Sequence, residues 1–425
     1  MAFLNRLLSS AVEPYFLSMK HLILIILAGV LVYGCSSSES RQPGDNLQPV
    51  KVGAKVLLEK HLDELKGMRV GLVMNPTARV DGTHMLDTLL KRSVNVSALF
   101  APEHGFRGEA GAGEVIEDGV DRETGLPVYS LYGNTKKPTS EMLQEVDILL
   151  FDMQDVGGRF YTYNVTLGLL LEAASQSDIP VWVLDRPNPA GGNYIAGWKM
   201  NEQFESFVGA YPIPMAHGMT LGELAKMMIG ERWLQVEQQP RLRVIPAEGW
   251  ERTMQWPETG LDWHPPSPNL PTFEHAFAYL GTVLFEGTNI SEGRGTSDPF
   301  LKIGAPFLNL KKDQLAALKE EFPEAGIEAI TFTPASIPGK SLHPKYEGET
   351  CRGVKIGIKD FGSFDPVLFG VRLLEVMEQS SGQVEMNDFI FKLAGNKEIK
   401  SFNTSGWEGE IAAFREARKP YLVYE

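Results

Sequence analysis

Five carboxylates are placed where they could act on a substrate: Glu103, Asp152, Asp155, Asp185 and Glu286. The first four follow apolar runs, and Glu286 opens a Gly-rich polar loop over 285–296. Breaking a glycosidic bond takes one carboxyl group of raised pKa to protonate the leaving oxygen. It also takes a second group to stabilise the oxocarbenium-like centre. A carboxylate that ends a buried strand beneath a water-excluding loop meets desolvation and like-charge neighbours, and both raise a pKa. The same residues have a plainer use, in which Asp152, Asp155 and Asp185 pair with Arg159 and Arg186 as scaffold.

Other chemistries lack their patterns. Gly111 and Gly113 would need a third glycine at Ile116 for a dinucleotide fingerprint, and no P-loop occurs. Ser291 lacks the glycine of a nucleophile elbow, since position 289 is Asn289. Ser341 and Lys345 are one residue too far apart for a Ser-x-x-Lys pair. No His-Glu-x-x-His occurs, and Glu103-His104 has Phe100 where the inverted His-x-x-Glu-His would need histidine. The eight histidines are scattered singly, so neither a metal site nor a cofactor is expected.

The elements that must position the carboxylates are legible as short apolar runs. Runs at 68–74, 95–100, 146–151 and 179–184 read as strands buried on both faces. Each ends in polar residues: Asn75, then Glu103 and His104, then Asp152, Gln154 and Asp155, then Asp185, Arg186 and Asn188. Helical patterns at 84–91 and 167–174, the second with Thr166 as N-cap, alternate with the strands. The expected fold is therefore α/β, a Rossmann-like parallel sheet whose ligand site lies beyond the carboxyl ends of its strands. The insertion 105–133 is long enough to act as a lid. After a Pro- and Trp-rich stretch, a second, smaller α/β unit is expected, with helices at 315–322 and 367–379 and strands at 329–333 and 353–358.

Composition sets outer limits. The 425 residues carry 40 Lys+Arg against 54 Asp+Glu, a net charge of −14, which argues against a nucleic-acid partner. Two cysteines can close at most one disulfide, so a packed core must hold the fold. Met19-Lys20, an uncharged run to Val32 and Gly34-Cys35 resemble a bacterial lipoprotein signal, with an uncleaved anchor as the alternative. The expected layout is a signal peptide over 1–34, lipid on Cys35 and a flexible tether over 35–49. A Rossmann-like catalytic domain over 50–275 and a smaller domain over 276–425 follow. The protein would be exported, anchored to the membrane and facing the periplasm. With Cys35 acylated, Cys351 has no partner and reads as a small buried hydrophobe.

Longer motifs are more specific. Asn75-Pro-Thr77, Pro102-Glu103-His104-Gly-Phe-Arg107, Phe151-Asp152-Met-Gln154-Asp155 through Arg159-Phe-Tyr161-Thr-Tyr163, Asp185-Arg186-Pro-Asn188 and Glu286-Gly-Thr-Asn289 through Arg294-Gly-Thr296 resemble the NamZ-type peptidoglycan exo-β-N-acetylmuramidases. The resemblance runs from about residue 50 to the end. It implies two domains around a cleft and release of N-acetylmuramic acid from the non-reducing end of peptidoglycan fragments. It implies Glu103 as the catalytic acid; Asp152, Asp155 and Glu286 stay catalytic candidates on their placement in the chain. The sugar's lactyl carboxylate calls for a cation, ideally a bidentate arginine, with Arg107, Arg159 and Arg294 as candidates. Tyr161, Tyr163 and Trp263 are candidate sugar platforms, or else core. Asn75, His104, Gln154, Asp185, Arg186, Asn188, Asn289 and Thr296 complete the expected binding set. A non-catalytic muropeptide-binding lipoprotein, or an amidase or esterase, are the competing functions on the same fold.

Overall fold

The computed structural model describes residues 49–107 and 118–425. The signal, Cys35 and nearly all of the tether lie outside the described residues.

Seven strands form the main sheet: β1 (Val70–Met74), β2 (Val96–Ala101), β3 (Gly119–Val120), β4 (Pro127–Ser130), β5 (Ile148–Asp152), β6 (Val181–Leu184) and β7 (Leu242–Ile245). Their spatial order is β3-β4-β2-β1-β5-β6-β7, parallel throughout except for β3 against β4. With β3 set aside, this is the doubly wound Rossmann order, and the chain reverses direction across the sheet between β1 and β5.

The strands form because their apolar residues have cover on both faces. In β1, Val70, Leu72 and Met74 join the cluster under α1 (Met85–Lys91), whereas Val73 joins the cluster under α2 (Tyr163–Gln176) and α3 (Leu221–Gly230). Helix α3 begins with a reciprocal capping box between Thr220 and Glu223. The N-cap of helix α2 lies four residues before the expected one. Thr162 is its N-cap, and Thr166 lies inside, donating to the Thr162 carbonyl at 3.1 Å. The insertion expected as a lid contributes β3 and β4 to the sheet edge.

The second unit holds a three-stranded antiparallel sheet, with β8 (Lys302–Ala305) and β9 (Ala325–Phe332) flanking β10 (Cys351–Ile358). Helices α4 (Phe273–Thr282), α5 (Lys312–Glu321), α6 (Pro366–Ser381), α7 (Phe389–Ala394) and α8 (Trp407–Arg418) accompany it. A Cβ on Gly370 would lie 2.4 Å from the Gly281 carbonyl oxygen, so α4 and α6 cross only because both positions are glycine. One apolar cluster runs without a break from β5 and α2 to α6 and β10. Cys351 sits buried and free in β10, and burial pushes its thiol up to about 11.

Candidate active site

Beyond the carboxyl ends of the strands lies a cleft of about 860 Å³. Glu103, His104, Tyr132, Lys136, Tyr161 and Phe207 line it from one part of the chain, and Tyr279, Glu286, Glu292, Arg294, Phe300 and Lys345 from the other.

Glu103 reaches the cleft by a local device. It follows Pro102 at the end of β2, His104 takes φ 73° and Gly105 φ 84°, and the Gly105 amide donates back to the Pro102 carbonyl at 3.1 Å. Two consecutive left-handed residues reverse the chain and leave Glu103 at the turn. The strain of a left-handed histidine is stored at the site itself. Thr162, the N-cap of α2, does not cap with its side chain. Its hydroxyl donates instead to Glu103 Oε2 at 3.0 Å. The Tyr132 phenol stands close enough to Glu103 to feel its charge. Burial first, then the Glu103 charge, holds that phenol well above its ordinary pKa. The Thr162 hydroxyl therefore orients the carboxylate from α2, with the Tyr132 phenol beside it.

The opposite wall is an ionic cluster. Arg294 donates to Glu286 Oε1 at 2.5 Å, lies 3.4 Å from Glu292, and stacks 5.1 Å from the Phe300 ring centroid. Lys345 donates to Glu292 Oε2 at 3.0 Å and to the carbonyls of Phe285 at 2.7 Å and Ile290 at 3.0 Å. Burial raises the Glu286 pKa and Glu292 adds to the rise, while Arg294 opposes it. Burial works against the Arg294 charge, but Glu286 and Glu292 together hold its pKa up. Tyr161 and Tyr279 are kept protonated, chiefly by burial, so their hydroxyls remain donors.

Most of the other expected site residues are consumed by the scaffold. Asp152 is fully buried and accepts two bonds from Arg186, at 2.5 and 3.1 Å. Asp155 accepts from the Gly157 amide at 2.6 Å, and desolvation pushes its pKa up to about 7. Asp185 accepts from Thr220, Tyr424 and the Gly222 amide at 2.7, 2.7 and 2.9 Å, with burial raising it to about 6. Asn75 bridges Thr77 and the Tyr163 hydroxyl, which in turn donates to the Pro266 carbonyl at 2.8 Å. The Gln154 side chain donates to the carbonyls of Asp155 and Pro187. Asn188 is held by Met219 and Ala190, Asn289 by Gln383 and Glu385, and Thr296 by its own turn at Gly293. The Trp263 indole donates to the Leu270 carbonyl and packs edge-on against Trp256, as core.

The arginines divide sharply. Arg107 pairs with Asp121 at 2.8 Å, away from the cleft lining. Arg159 is fully buried and donates to the carbonyls of Trp198, Ile213 and Leu393 at 3.0, 3.1 and 2.6 Å, and desolvation lowers its pKa to about 9. Of the three, Arg294 alone lines the cleft.

The expected set also lacked contributors. Glu292 stood in a recognised motif without a role, and Lys345 only in a failed Ser-x-x-Lys pattern. Tyr132 follows β4 much as Glu103 follows β2. That pattern of a strand ending in polar residues could have found it, had the short run at 127–130 been read as a strand.

Comparison with known proteins bears on this arrangement. Residues 70–274 match the family description exo-β-N-acetylmuramidase NamZ, N-terminal, and residues 277–424 match its C-terminal counterpart. The peptidoglycan β-N-acetylmuramidase NamZ of Bacillus subtilis (strain 168) is 39% identical over 436 residues, covering 96% of this chain and all of that protein. A crystal structure of a DUF1343 family protein from Bacteroides fragilis NCTC 9343 superposes with a TM-score of 0.79 at 32% identity, covering 89% of this chain and 99% of the other. A second DUF1343 structure from the same organism gives 0.71 at 33% identity, covering 88% and 99%.

Proposed function

Because the chain belongs to the exo-β-N-acetylmuramidase NamZ family, we propose that its cleft removes β-1,4-linked N-acetylmuramic acid from the non-reducing end of peptidoglycan fragments. The protein is a glycoside hydrolase. The observation that carries the assignment of the acid is the placement of Glu103: at a strand's carboxyl end, on a strained turn, held by Thr162, and facing the cleft beside Tyr132. In this reading Glu103 protonates the leaving oxygen. Glu286, with its raised pKa and its Arg294 partner, faces the developing positive charge. Asp152 and Asp155 take no part in bond breaking, since each is buried and neither lines the cleft. Tyr161, half of an edge-on pair with Tyr163 at 4.8 Å, presents an aromatic surface to the sugar. The division at 275/276 belongs to the same proposal, with each part supplying one wall of the cleft.

A chromogenic β-N-acetylmuramide and the matching N-acetylglucosaminide test the reading directly. Turnover of the muramide with little or none of the glucosaminide is expected. Affinity without turnover would favour a muropeptide-binding protein, and release of an acyl group an amidase or esterase.

The cellular placement rests on residues 19–38 alone. Cys35 becomes the lipid-bearing mature N-terminus, and residues 36–49 tether the enzyme at the periplasmic face. Intact-mass analysis of membrane-extracted protein should show loss of residues 1–34 and added acyl mass. An unmodified Cys35 would refute this placement.

A further inference from the structure

Four long-chain cations line the cleft: Lys136, Arg294, Lys340 and Lys345. Two of them are already neutralised. Arg294 and Lys345 share Glu286 and Glu292, which balances two positive charges with two negative ones. Lys136 and Lys340 make no ion pair among the described residues, on a chain whose net charge is −14.

Of these two, Lys136 has a defined place. Its ammonium lies 4.6 Å from the Phe207 ring centroid, and that ring is 6.0 Å from Tyr132, which shares the cleft wall with Glu103. An aromatic face steadies a cation through its quadrupole without cancelling the charge. The next residue, Lys137, pairs with Glu172 of α2 at 2.9 Å and pins the segment to the main domain. Lys340 instead follows Gly339 on the 337–341 turn, where no ring seats its ammonium among the described residues; both lysines are exposed to solvent.

We propose that Lys136, seated on Phe207, reads the lactyl carboxylate of the muramyl sugar held against Glu103. This rests on the exo-muramidase reading above and assigns its selectivity to a lysine in place of the expected arginines. N-acetylglucosamine carries a hydroxyl at that position and gains nothing from an uncompensated ammonium. A muramyl sugar gains a charge-assisted contact with that ammonium.

The full-length protein should be assayed on three chromogenic substrates: the β-N-acetylmuramide, its lactyl methyl ester and the β-N-acetylglucosaminide. Lys136→Gln should lower kcat/KM on the muramide about 10-fold or more. It should leave the ester and the glucosaminide within about twofold of wild type, and Lys136→Arg should restore most of the loss. Equal losses on muramide and ester would overturn the proposal, because a packing defect does not distinguish a carboxylate from its ester. So would a muramide-specific loss in Lys340→Gln but not in Lys136→Gln. A wild-type protein inert on all three substrates would refute the activity itself. An active wild type with an unaffected Lys136→Gln would refute only the role of Lys136.

Discussion

Asp152 and Glu286 are each bonded to an arginine at 2.5 Å, yet they do opposite work. The Asp152–Arg186 side chains are 0% and 7% exposed, and the Glu286–Arg294 side chains 18% and 20%. Asp152 ends a central strand, where the residues after β1 and β6 crowd around it and the chain's own donors fill every direction. Glu286 stands in the 3-10 turn Val283–Gly287 that follows α4, with one side open to the cleft. Ion pairing by itself therefore does not mark a site. A carboxylate becomes chemically useful when one of its sides is left for a substrate.

The comparison can be broken at three points. The largest effect is expected at Glu103, the cleft carboxylate held by a neutral donor rather than by a cation. Glu103→Gln keeps the Thr162 contact in shape but has no acidic proton. It should lower kcat by about 10²–10⁴ while circular dichroism and the unfolding midpoint stay near wild type. A glycoside with a strongly acidic leaving group should lose less than a natural disaccharide. Equal losses on both would give Glu103 an electrostatic or nucleophilic role instead.

Next comes the sealed pair. Asp152→Asn leaves the Arg186 charge buried without its counter-charge and should cost about 3–5 kcal/mol in urea unfolding. The folded fraction should keep its kcat. A loss of turnover as deep as that of Glu103→Gln, with stability intact, would move Asp152 from scaffold to catalysis.

The smallest effect is a slope. Asp155 is raised from 3.8 to about 7 by burial, so the folded protein keeps a proton that the unfolded chain has lost. Folding takes up that proton between about pH 4 and pH 7, and stability falls as pH rises through this window, by at most about 1.4 kcal/mol per pH unit. Asp155→Asn should remove this share of the slope and be relatively more stable than wild type at pH 8. The part due to Asp185, raised to about 6 with the same sign, should remain. Parallel stability profiles for the two proteins would show that Asp155 stays ionised in the fold.

The central strands were legible because β1, β2, β5 and β6 are nearly continuous apolar runs, the mark of strands covered on both faces. β7 was not. It is an edge strand, interrupted by Arg243, whose guanidinium lies over the Trp182 ring at 4.4 Å. β3 and β4 were hidden in an insertion that reads as a loop, because strands of two and four residues leave little pattern. The start of α2 was misplaced because Thr162 spends its hydroxyl on Glu103, and that partner lies 59 residues away.

The local part of the site could be read along the chain. Glu103 at the end of β2 and Gly105 after it are neighbours in sequence, and the backbone turn that exposes the carboxylate needs nothing beyond residues 102–105. The long motifs likewise carried the family. What a polar side chain meets is a different kind of fact. Arg159 and Arg294 stand in equally glycine-rich, equally polar segments. Yet Arg159 is buried against a carbonyl 234 residues away, while Arg294 faces the cleft. Hydrogen bonds and ion pairs act over a few ångströms of space whatever the separation in sequence, so folding alone settles which charges are used up and which remain for a ligand.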